Sequence, residues 1–563
     1  MIKNLKKYLY KNNYIFFNRI IIIAAIFVIA LIVYGFSNSS TDYFLKISRS
    51  IDLFGNVFRE VTANYVEEID PEIFVKAGIN GMLGSLDPYT NFIDEKEIDE
   101  VQLITSGTYG GIGVTVGLRD GFITIIGLME GYSAQRLGVQ PGDRVLEVDG
   151  KPTIGMKPDE LRTMTRGEPG TEVRLKIERD GEPQPLDFVL VREIIQLKNI
   201  TFADYIDNGI AYIRLERFTT SAGDELRLAL KELKLKGDLK GIILDLRGNP
   251  GGLLESAVDV VEKFVDKGNL VVSTKGRTPD SEKKYFANEE PVVPNIPLIV
   301  LINKQSASAS EIVAGAIQDL DRGLIVGTRS FGKGLVQTVM PLLNNNRLKI
   351  TTARYYTPSG RCIQEIDYQN KTREGIYVTT PDSMKREFRT LRGRLELEGG
   401  GITPDSTVPE PERSALYDAL MRRSMFFRFA TYYSSIHSDV PEVFNDEILL
   451  VEFKKFLDSL NFSYNDEFEV KLKELCDAAD KCKYSKEIKN QIEQLKSKIL
   501  SEKVNVLDRY KEEILTAIKP EIVSRSKGQK GLIETSLKED VQVRTALGLL
   551  KDRDGYAKRL NPN

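Results

Sequence analysis

Short apolar runs alternate with amphipathic stretches in the middle of the chain. Runs such as IAYIRL, GIILDL, PLIVLIN and GLIVGT predict buried strands, whereas DELRLALKEL, ESAVDVVEKF and EIVAGAIQDL have the spacing of helices. Strands that alternate with helices are typical of a layered α/β domain, which we expect over residues 196–408. Within it, RLKITTARYY predicts a closing strand. Residues 365–398 lack a clean pattern and are interpreted as an insertion or loop.

Three segments of different character flank this domain. Apolar positions recur at helical spacing between residues 41 and 95 and predict an N-terminal helical region. Residues 96–195 alternate short apolar strands with glycine turns and predict one compact β module. From residue 409 to 563 the sequence is highly charged with apolar residues on one helical face, so we expect a C-terminal helical accessory domain.

The N-terminus has the pattern of a membrane signal. Residues 1–19 contain basic but no acidic side chains, and residues 20–36 are apolar. This order predicts a cytoplasmic basic tail and a single transmembrane signal anchor, with the remaining domains on the periplasmic or extracytoplasmic side of the plasma membrane. A cleaved signal peptide is the alternative, although the following YGFSNSS offers no clear cleavage site.

Charge and composition argue against several classes of function and of catalytic site. A net charge of −3 over 563 residues gives no basic footprint for nucleic acid. Three cysteines do not form a disulfide framework. The single histidine, His437, lies far from any glycine-rich turn, which argues against a Ser-His-Asp enzyme or a multi-histidine metal site. We therefore expect no metal and no cofactor. A nucleophilic serine would need another base, and a lysine with a lowered pKa is the obvious substitute.

A small-residue turn, QSASAS, joins the predicted strand PLIVLIN to the next helix. Ser308 and Glu311 in this turn fit a helix capping box, which alone explains the pattern. A serine at a helix N-terminus also lies where the helix dipole favours an oxyanion, with the Ala309 amide as one donor. The glycine turn RGNPGG offers a second donor from Gly251 or Gly252.

The lysine candidate is Lys333, between two glycines in FGKG. A lysine between glycines is usually a solvated turn residue. The surrounding GTRSFGKG also nearly fits a phosphate-binding loop, but Gly334 replaces the hydroxyl that would hold Mg²⁺. Moreover, LVQTVMPL predicts a strand where that motif requires a helix. Nucleotide binding is thus disfavoured.

The β module resembles a PDZ domain, a module that binds the C-termini of extended peptides. Its GGIG stretch, residues Gly110, Gly111, Ile112 and Gly113, stands at the carboxylate-binding loop, and GYSAQRLGVQPGDRVLEVDG matches the central signature. Arg166, just after the predicted groove helix, is a candidate partner for a carboxylate or for the neighbouring domain. A surface arginine without a special role is the alternative.

Together, SASASEIVAGAIQD, SFGKGLVQ, DLRGNPGG and NGMLGSLDPYTNF resemble the carboxyl-terminal processing, or tail-specific, peptidases. The resemblance runs from about Tyr43 to about Val408. It implies an α+β multidomain chain, in which a ClpP/crotonase-like α/β peptidase core carries an inserted PDZ module, an N-terminal helical arm and a C-terminal helical domain. It also implies Ser308 as nucleophile, Lys333 as general base and Gln337 as the residue that orients the lysine. The choice among the three serines rests on this resemblance.

The resulting prediction is an exported, membrane-anchored serine endopeptidase with a Ser/Lys dyad. Its partners would be protein or peptide substrates with free C-termini and, through the anchor, the membrane. A homo-oligomer and an adaptor protein are compatible with this architecture. The alternative is a non-catalytic PDZ scaffold or chaperone with a degenerate peptidase core.

Overall fold

The structure, a computed structural model, describes residues 42–95, 102–103, 105–119, 121–371, 377–379, 381–437, 439–441, 443–481, 486–503 and 505–561. The membrane anchor expected at residues 20–36 lies outside them. Among the described helices, none combines the length and apolar character required to cross a bilayer. The chain divides into two compact units, of which the first ends at Phe92 and the second begins at Ile93.

The first unit is helical, as its periodicity predicts. Helix α1 covers residues 42–64 and helix α2 covers Pro71–Leu83. Asp70 caps α2 by accepting from two backbone N–H groups, and Pro71 occupies the first helical position, where a missing N–H costs nothing. Phe58 of α1 stacks on Phe74 of α2 with ring centroids 5.5 Å apart. Strand β1 (Asn91–Ile93) follows at the junction of the units.

The glycine-punctuated module is a small β domain with its own apolar core. Its elements are β2 (Thr108–Gly111), β3 (Val114–Arg119), β4 (Phe122–Leu128), α3 (Ser133–Arg136), β5 (Arg144–Val148), β6 (Lys151–Pro152), α4 (Pro158–Thr165), β7 (Glu172–Glu178), β8 (Leu186–Val191) and β9 (Glu193–Gln196). The main sheet has the order β3-β4-β5-β7-β8, with β6 beside β5, and β2 pairs with β9. Alternate residues of β7, such as Val173, Leu175 and Ile177, fill the core.

The central α/β domain is built on a six-stranded sheet. Its elements are β10 (Ile200–Asp207), β11 (Ile210–Leu215), α5 (Ala222–Lys236), β12 (Gly241–Asp245), α6 (Leu254–Val261), β15 (Leu298–Ile302), α7 (Ala309–Asp319), β16 (Leu324–Gly327) and β23 (Ser406–Thr407). The strand order is β10-β11-β12-β15-β16-β23, and only the β10–β11 pair is antiparallel. The strands predicted on either side of the serine turn are therefore neighbours.

Both faces of this sheet are covered, which explains why its central strands are continuously apolar. Leu298 and Val300 of β15 point to helices α5, α6 and α7 on one face. Ile299 and Leu301 point to the opposite face, which the last helices of the chain cover. The carboxyl ends of these parallel strands carry the loops with the candidate site residues.

A second, antiparallel sheet lies beside the first. It includes the strand that follows residues 331–334, here called the lysine segment. It contains β13 (Leu270–Gly276), β14 (Lys283–Phe286), β17 (Leu335–Pro341) and β18 (Arg347–Tyr356), paired in the order β14-β13-β18-β17. Residues 365–398, interpreted as an insertion or loop, contain two short hairpins, so the loop interpretation was wrong. These consist of β19 (Ile366–Lys371) with β20 (Tyr377–Thr379), and β21 (Glu387–Arg389) with β22 (Leu395–Leu397).

The C-terminal tract is helical, as predicted. Its helices are α8 (Ala415–Arg422), α9 (Met425–Ile436), α10 (Asp446–Ser459), α11 (Glu467–Lys481), α12 (Lys486–Lys503), α13 (Val506–Arg509), α14 (Lys511–Leu537), α15 (Val541–Lys551) and α16 (Arg553–Leu560). Helices α8, α9, α10 and the first half of α14 share one apolar cluster, here called the helical lobe. The second half of α14, with α15 and α16, instead packs on the six-stranded sheet. The two halves of α14 are separated by a non-helical Gly528.

Candidate active site

The three serines of the QSASAS turn differ in what their side chains do. Ser306 and Ser310 are fully buried, and their hydroxyls donate to the carbonyl oxygens of Leu246 (2.8 Å) and Asn249 (2.9 Å). Ser308 is partly exposed and has a left-handed backbone with φ 55° at the start of α7. Such a strained backbone, between a buried strand and a helix, presents a side chain outward, which suits a nucleophile and not a buried structural serine.

The lysine segment lies on the loop between β16 and β17. The N–H of Phe331 donates to the Ser306 carbonyl oxygen (3.0 Å), so the segment runs beside the serine turn. The N–H of Gly334 donates to the Gln364 side chain (2.7 Å). Lys333 itself is partly buried between these fixed neighbours. The phosphate-loop alternative fails here as expected, because β17 begins where that motif requires a helix.

A buried glutamate, Glu311, joins the two segments. One carboxylate oxygen accepts from the N–H groups of Ser308 (2.8 Å) and Lys333 (2.9 Å). The other accepts from the Ser330 hydroxyl (2.6 Å) and the Gly332 N–H (2.6 Å). Burial raises the pKa of Glu311 to about 7, although all four hydrogen bonds favour the ionised form. The capping-box pattern predicted only the bond to Ser308.

Tyr355 of β18 forms a second connection that the sequence analysis missed. Its hydroxyl lies 2.6 Å from the carbonyl oxygen of Lys333 and 3.1 Å from that of Ser308. The side chain is 1% exposed, and burial raises its pKa well above the usual range. The hydroxyl is therefore neutral and can donate to either carbonyl. No local pattern marks this tyrosine, since its partners lie 47 and 22 residues away in sequence.

The glycine turn after β12 lies directly against the serine. A Cβ placed on Gly251 would be 2.9 Å from the Ser308 Cβ and 2.9 Å from the Ala309 nitrogen. The Gly251 N–H donates to the Asn249 side-chain oxygen at 2.9 Å. Within the described part of the chain, the N–H groups of Gly252 and Ala309 have no hydrogen-bond acceptor. The N–H of Ala309, next to the serine, and the N–H of Gly252, next to the glycine that contacts the serine, are thus unused donors.

Gln337 lies on β17, four residues beyond the lysine. A β-bulge separates Val336 from Gln337, and the Gln337 amide donates to the Thr351 hydroxyl of β18 (3.3 Å). His437 lies in the helical lobe, where it stacks on Tyr433 at 4.1 Å and contacts Glu452 at 3.3 Å. It is therefore no part of the serine site. Among the described residues, no His, Cys, Asp and Glu side chains are grouped in the way that a metal ion requires.

The predicted carboxylate-binding loop lies at the end of β2. Gly110 and Gly111 are in that strand, Ile112 is buried in the module's core, and Gly113 has φ 77°. The Arg166 guanidinium stacks over the ring of the neighbouring Tyr109, 4.7 Å from its centroid. The Arg166 Nε is buried and has no hydrogen-bond partner among the described residues.

Comparison with known proteins assigns a family to each of three segments. Residues 209–372 match peptidase family S41, residues 124–179 match the PDZ domain, and residues 416–550 match the "Probable PDZ-protease, C-terminal helical domain". These segments correspond to the sheet with the serine site, the small β domain and most of the C-terminal helices.

Individual proteins are also similar to this chain. A carboxy-terminal-processing protease of Bartonella bacilliformis is 39% identical over 410 residues, which cover 72% of this chain and 86% of that protein. The carboxy-terminal processing protease CtpA of Bacillus subtilis is 32% identical over 315 residues, covering 56% and 66%. Among solved structures, the photosystem II D1 C-terminal processing protease is 26% identical and covers 63% of this chain and 92% of its own, with a TM-score of 0.33.

Proposed function

Because the chain belongs to the carboxy-terminal processing proteases of peptidase family S41, and is thus a serine-type endopeptidase, we propose that Ser308 and Lys333 form its catalytic dyad. The observation that carries this proposal is the buried carboxylate of Glu311. It accepts from the backbone N–H groups of both residues and so fixes two distant loop segments at one point. Of the three serines in the turn, Ser308 is also the one whose side chain is not committed to a loop carbonyl.

In the proposed reaction, a neutral Lys333 amine takes the proton from the Ser308 hydroxyl as Oγ attacks the substrate's peptide carbonyl. The lysine ammonium then protonates the leaving amine, and the C–N bond breaks to give an acyl-enzyme. The lysine next removes a proton from a water molecule, which attacks the ester carbonyl. Release of the new carboxyl terminus returns that proton to Ser308. We expect Gln337, through its position on β17, to orient the lysine.

The N–H groups of Gly252 and Ala309 are the proposed oxyanion donors. Both lack an acceptor within the described residues, whereas the Gly251 N–H is already bonded to Asn249. Gly251 is then required for a different reason, since its lack of a side chain lets the loop approach Ser308. Donors fixed before the reaction need no reorganisation as negative charge develops, which is the main source of their effect on rate.

We assign the selection of substrates to the PDZ domain. The GGIG loop, residues 110–113, would bind a peptide's terminal carboxylate through its N–H groups, and Arg166 beside it would pair with the same carboxylate. The buried and unsatisfied Nε of Arg166 supports this assignment. Replacement of Arg166 by Ala should then raise KM for a protein substrate with a free C-terminus but not for one with an amidated C-terminus.

For the location, we propose that residues 20–36 anchor the chain in the plasma membrane with the peptidase outside the cytoplasm. The support is the order of a basic segment and an apolar stretch in the sequence. Fractionation of cells with the full chain and with a chain lacking residues 1–40 tests it. The full chain should sediment with membranes and be degraded by external protease, whereas a soluble full chain would contradict the anchor.

The dyad is tested by Ser308→Ala, Lys333→Ala and Gln337→Ala in the full chain, with an unfolded protein as substrate. We expect the first two changes to lower kcat at least about a thousandfold and the third to lower it in part. Lys304→Ala, which removes an exposed lysine just before the serine turn, is the matched control for lysine loss. Ser435→Ala, in the helical lobe, is the control for serine loss.

Labelling of the intact protein with a fluorophosphonate probe gives a second readout. The label should attach to Ser308, disappear in Ser308→Ala, and be much slower in Lys333→Ala because the hydroxyl is no longer activated. Normal turnover by either dyad variant, or labelling at another serine, would refute the assignment.

A further inference from the structure

The glycine turn beside Ser308 is held partly from outside the peptidase domain. Arg247, one residue before the turn's first glycine, is largely buried, with 17% of its side chain exposed. Its Nε and Nη2 donate to the carboxylate of Asp245, at 3.0 and 2.6 Å. Asp245 is the last residue of β12, buried in the centre of the sheet, and it also accepts from the Tyr212 hydroxyl. One side of the guanidinium is thus anchored to the core.

The remaining arm of the guanidinium reaches the end of the chain. Arg247 Nη1 lies 2.8 Å from an oxygen of Asp540 and donates to the side-chain oxygen of Gln542 at 2.9 Å. Asp540 is the N-cap of α15, where it accepts from two backbone N–H groups. Gln542 is 2% exposed and also donates to the Val408 carbonyl oxygen at 2.7 Å. These contacts span almost 300 residues of sequence.

The turn that follows Arg247 links the position of this arginine to that of the Gly252 N–H. The Gly248 N–H donates to the Asn303 side chain (3.0 Å). Asn249 donates to the Leu215 carbonyl oxygen (2.8 Å) and accepts from the Gly251 N–H. Each residue between the arginine and Gly251 is therefore tied by hydrogen bonds, apart from Pro250. A shift of Arg247 would move the N–H of Gly252 relative to the serine, and a displacement of about 1 Å can cost a hundredfold in rate.

We propose that Asp540 and Gln542 are positioning residues for the oxyanion turn, so that the last helices of the chain set the rate of acylation. The inference rests on the proposed function, because it assumes that Gly252 supplies an oxyanion donor. Helix α15 does not need these contacts for its own attachment, since Val543, Ala546 and Leu550 bury it against the sheet. The polar contacts therefore act on the arginine and its turn.

The test compares Asp540→Asn with Asp552→Asn in the full chain. Asparagine is as good an N-cap as aspartate, so the first change removes the charge beside Arg247 and keeps the helix start. Asp552 caps α16 in the same helical layer, with a bond to the Gly555 N–H, and is the matched control. We expect Asp540→Asn to lower kcat and the rate of fluorophosphonate labelling about tenfold, with KM within about twofold and an unchanged melting temperature. Asp552→Asn should match the wild type.

A second variant, in which the carboxylate is moved to position 542, distinguishes a role in positioning Arg247 from a role in capping α15. The double variant Asp540→Asn with Gln542→Glu returns a carboxylate to Arg247 from two residues further along the chain. It loses the hydrogen bond to the Val408 carbonyl oxygen and should regain part of the lost kcat. A cap defect would not be rescued in this way. Three outcomes would overturn this inference: wild-type kcat in Asp540→Asn, an equal loss of kcat in Asp552→Asn, or no rescue in the double variant. If Ser308→Ala is inactive, the proposed dyad would still stand. An active Ser308→Ala would overturn this inference together with the dyad.

Discussion

At the scale of single residues, the site depends on the charge of Glu311. A carboxyl group can accept four hydrogen bonds only when it is ionised, because protonation turns one oxygen into a donor. Glu311 faces four donors, from Ser308, Ser330, Gly332 and Lys333, yet it is fully buried. Its pKa of about 7 reflects the balance between the cost of burying charge and the benefit of these bonds.

Glu311→Gln is the direct test of this connection. An amide offers one acceptor oxygen and places an NH₂ group against two donors, so the serine and lysine segments should move apart. We expect kcat about a hundredfold lower while the protein stays folded, since the change is nearly isosteric. Glu412→Gln, at an exposed position, is the control. Wild-type kcat in Glu311→Gln would show that the segments are held by other contacts.

The raised pKa also predicts how stability depends on pH. A folded-state pKa of about 7 against an ordinary value of 4.5 means that the folded protein binds more protons between these pH values. The stability that wild type gains relative to Glu311→Gln should therefore be largest below pH 4.5 and decline as pH rises to about 7. The decline should be on the order of 3 kcal/mol, measured as the difference between the variants in chemical denaturation. A difference that is constant with pH would contradict the buried ionisation.

Substitutions of two glycines in the same turn distinguish the effect of backbone strain from the effect of close contact with Ser308. Gly251 has φ 102° and a Cβ there would collide with the Ala307 carbonyl oxygen and Ser308, whereas Gly248 has φ 72° and open space. Both alanine variants should lose about 1–3 kcal/mol of stability from backbone strain. Only Gly251→Ala should also lower kcat at least about a hundredfold, because it displaces the nucleophile. Equal activities of the two variants would argue against contact with the serine.

At the scale of elements, the sequence predicted what local periodicity controls. Strands β15 and β16, helix α7 between them and strand β17 are where the apolar runs indicate, because both faces of the sheet bury their side chains. Helix α7 even begins at the serine turn. The failures have a common cause: the hairpins of residues 365–398 and the role of Tyr355 depend on partners distant in sequence, which no local pattern encodes.

Strand β18 contributes to the site through Tyr355. Tyr355→Phe removes the hydroxyl between the carbonyl oxygens of Lys333 and Ser308 and leaves the aromatic packing intact. We expect a loss of about 1 kcal/mol in stability and about a tenfold lower kcat, since one connection between the segments is lost. The neighbouring Tyr356→Phe, on the opposite side of the strand, should change neither quantity. Equal effects of both variants would indicate a general disturbance of β18.

At the scale of the whole molecule, the C-terminal helices connect to both other domains of the second unit. Helices α15 and α16 cover the peptidase sheet, whereas the helical lobe touches the PDZ domain. A Cβ on Gly142 of the PDZ domain would lie 2.6 Å from the Thr431 methyl group of α9. Nearby, burial raises the pKa of Glu521 in α14, whereas the charge of Arg525 and, from the PDZ domain, that of Arg119 lower it in part. The helical lobe is thus a docking surface for the PDZ domain.

Thr431→Arg should detach the PDZ domain from the helical lobe without unfolding the PDZ domain or the lobe. An arginine has no room opposite the Gly142 backbone, and the PDZ core and the lobe core are separate apolar clusters that do not depend on the contact. Hydrogen exchange should become at least about tenfold faster in the turn around Gly142 and remain unchanged in β7. Thr431→Ser is the matched control, because it keeps the hydroxyl that donates to the Phe427 carbonyl oxygen. If the hydrogen-exchange rate around Gly142 is the same in Thr431→Arg and Thr431→Ser, the PDZ domain is held by other contacts and does not dock on the lobe.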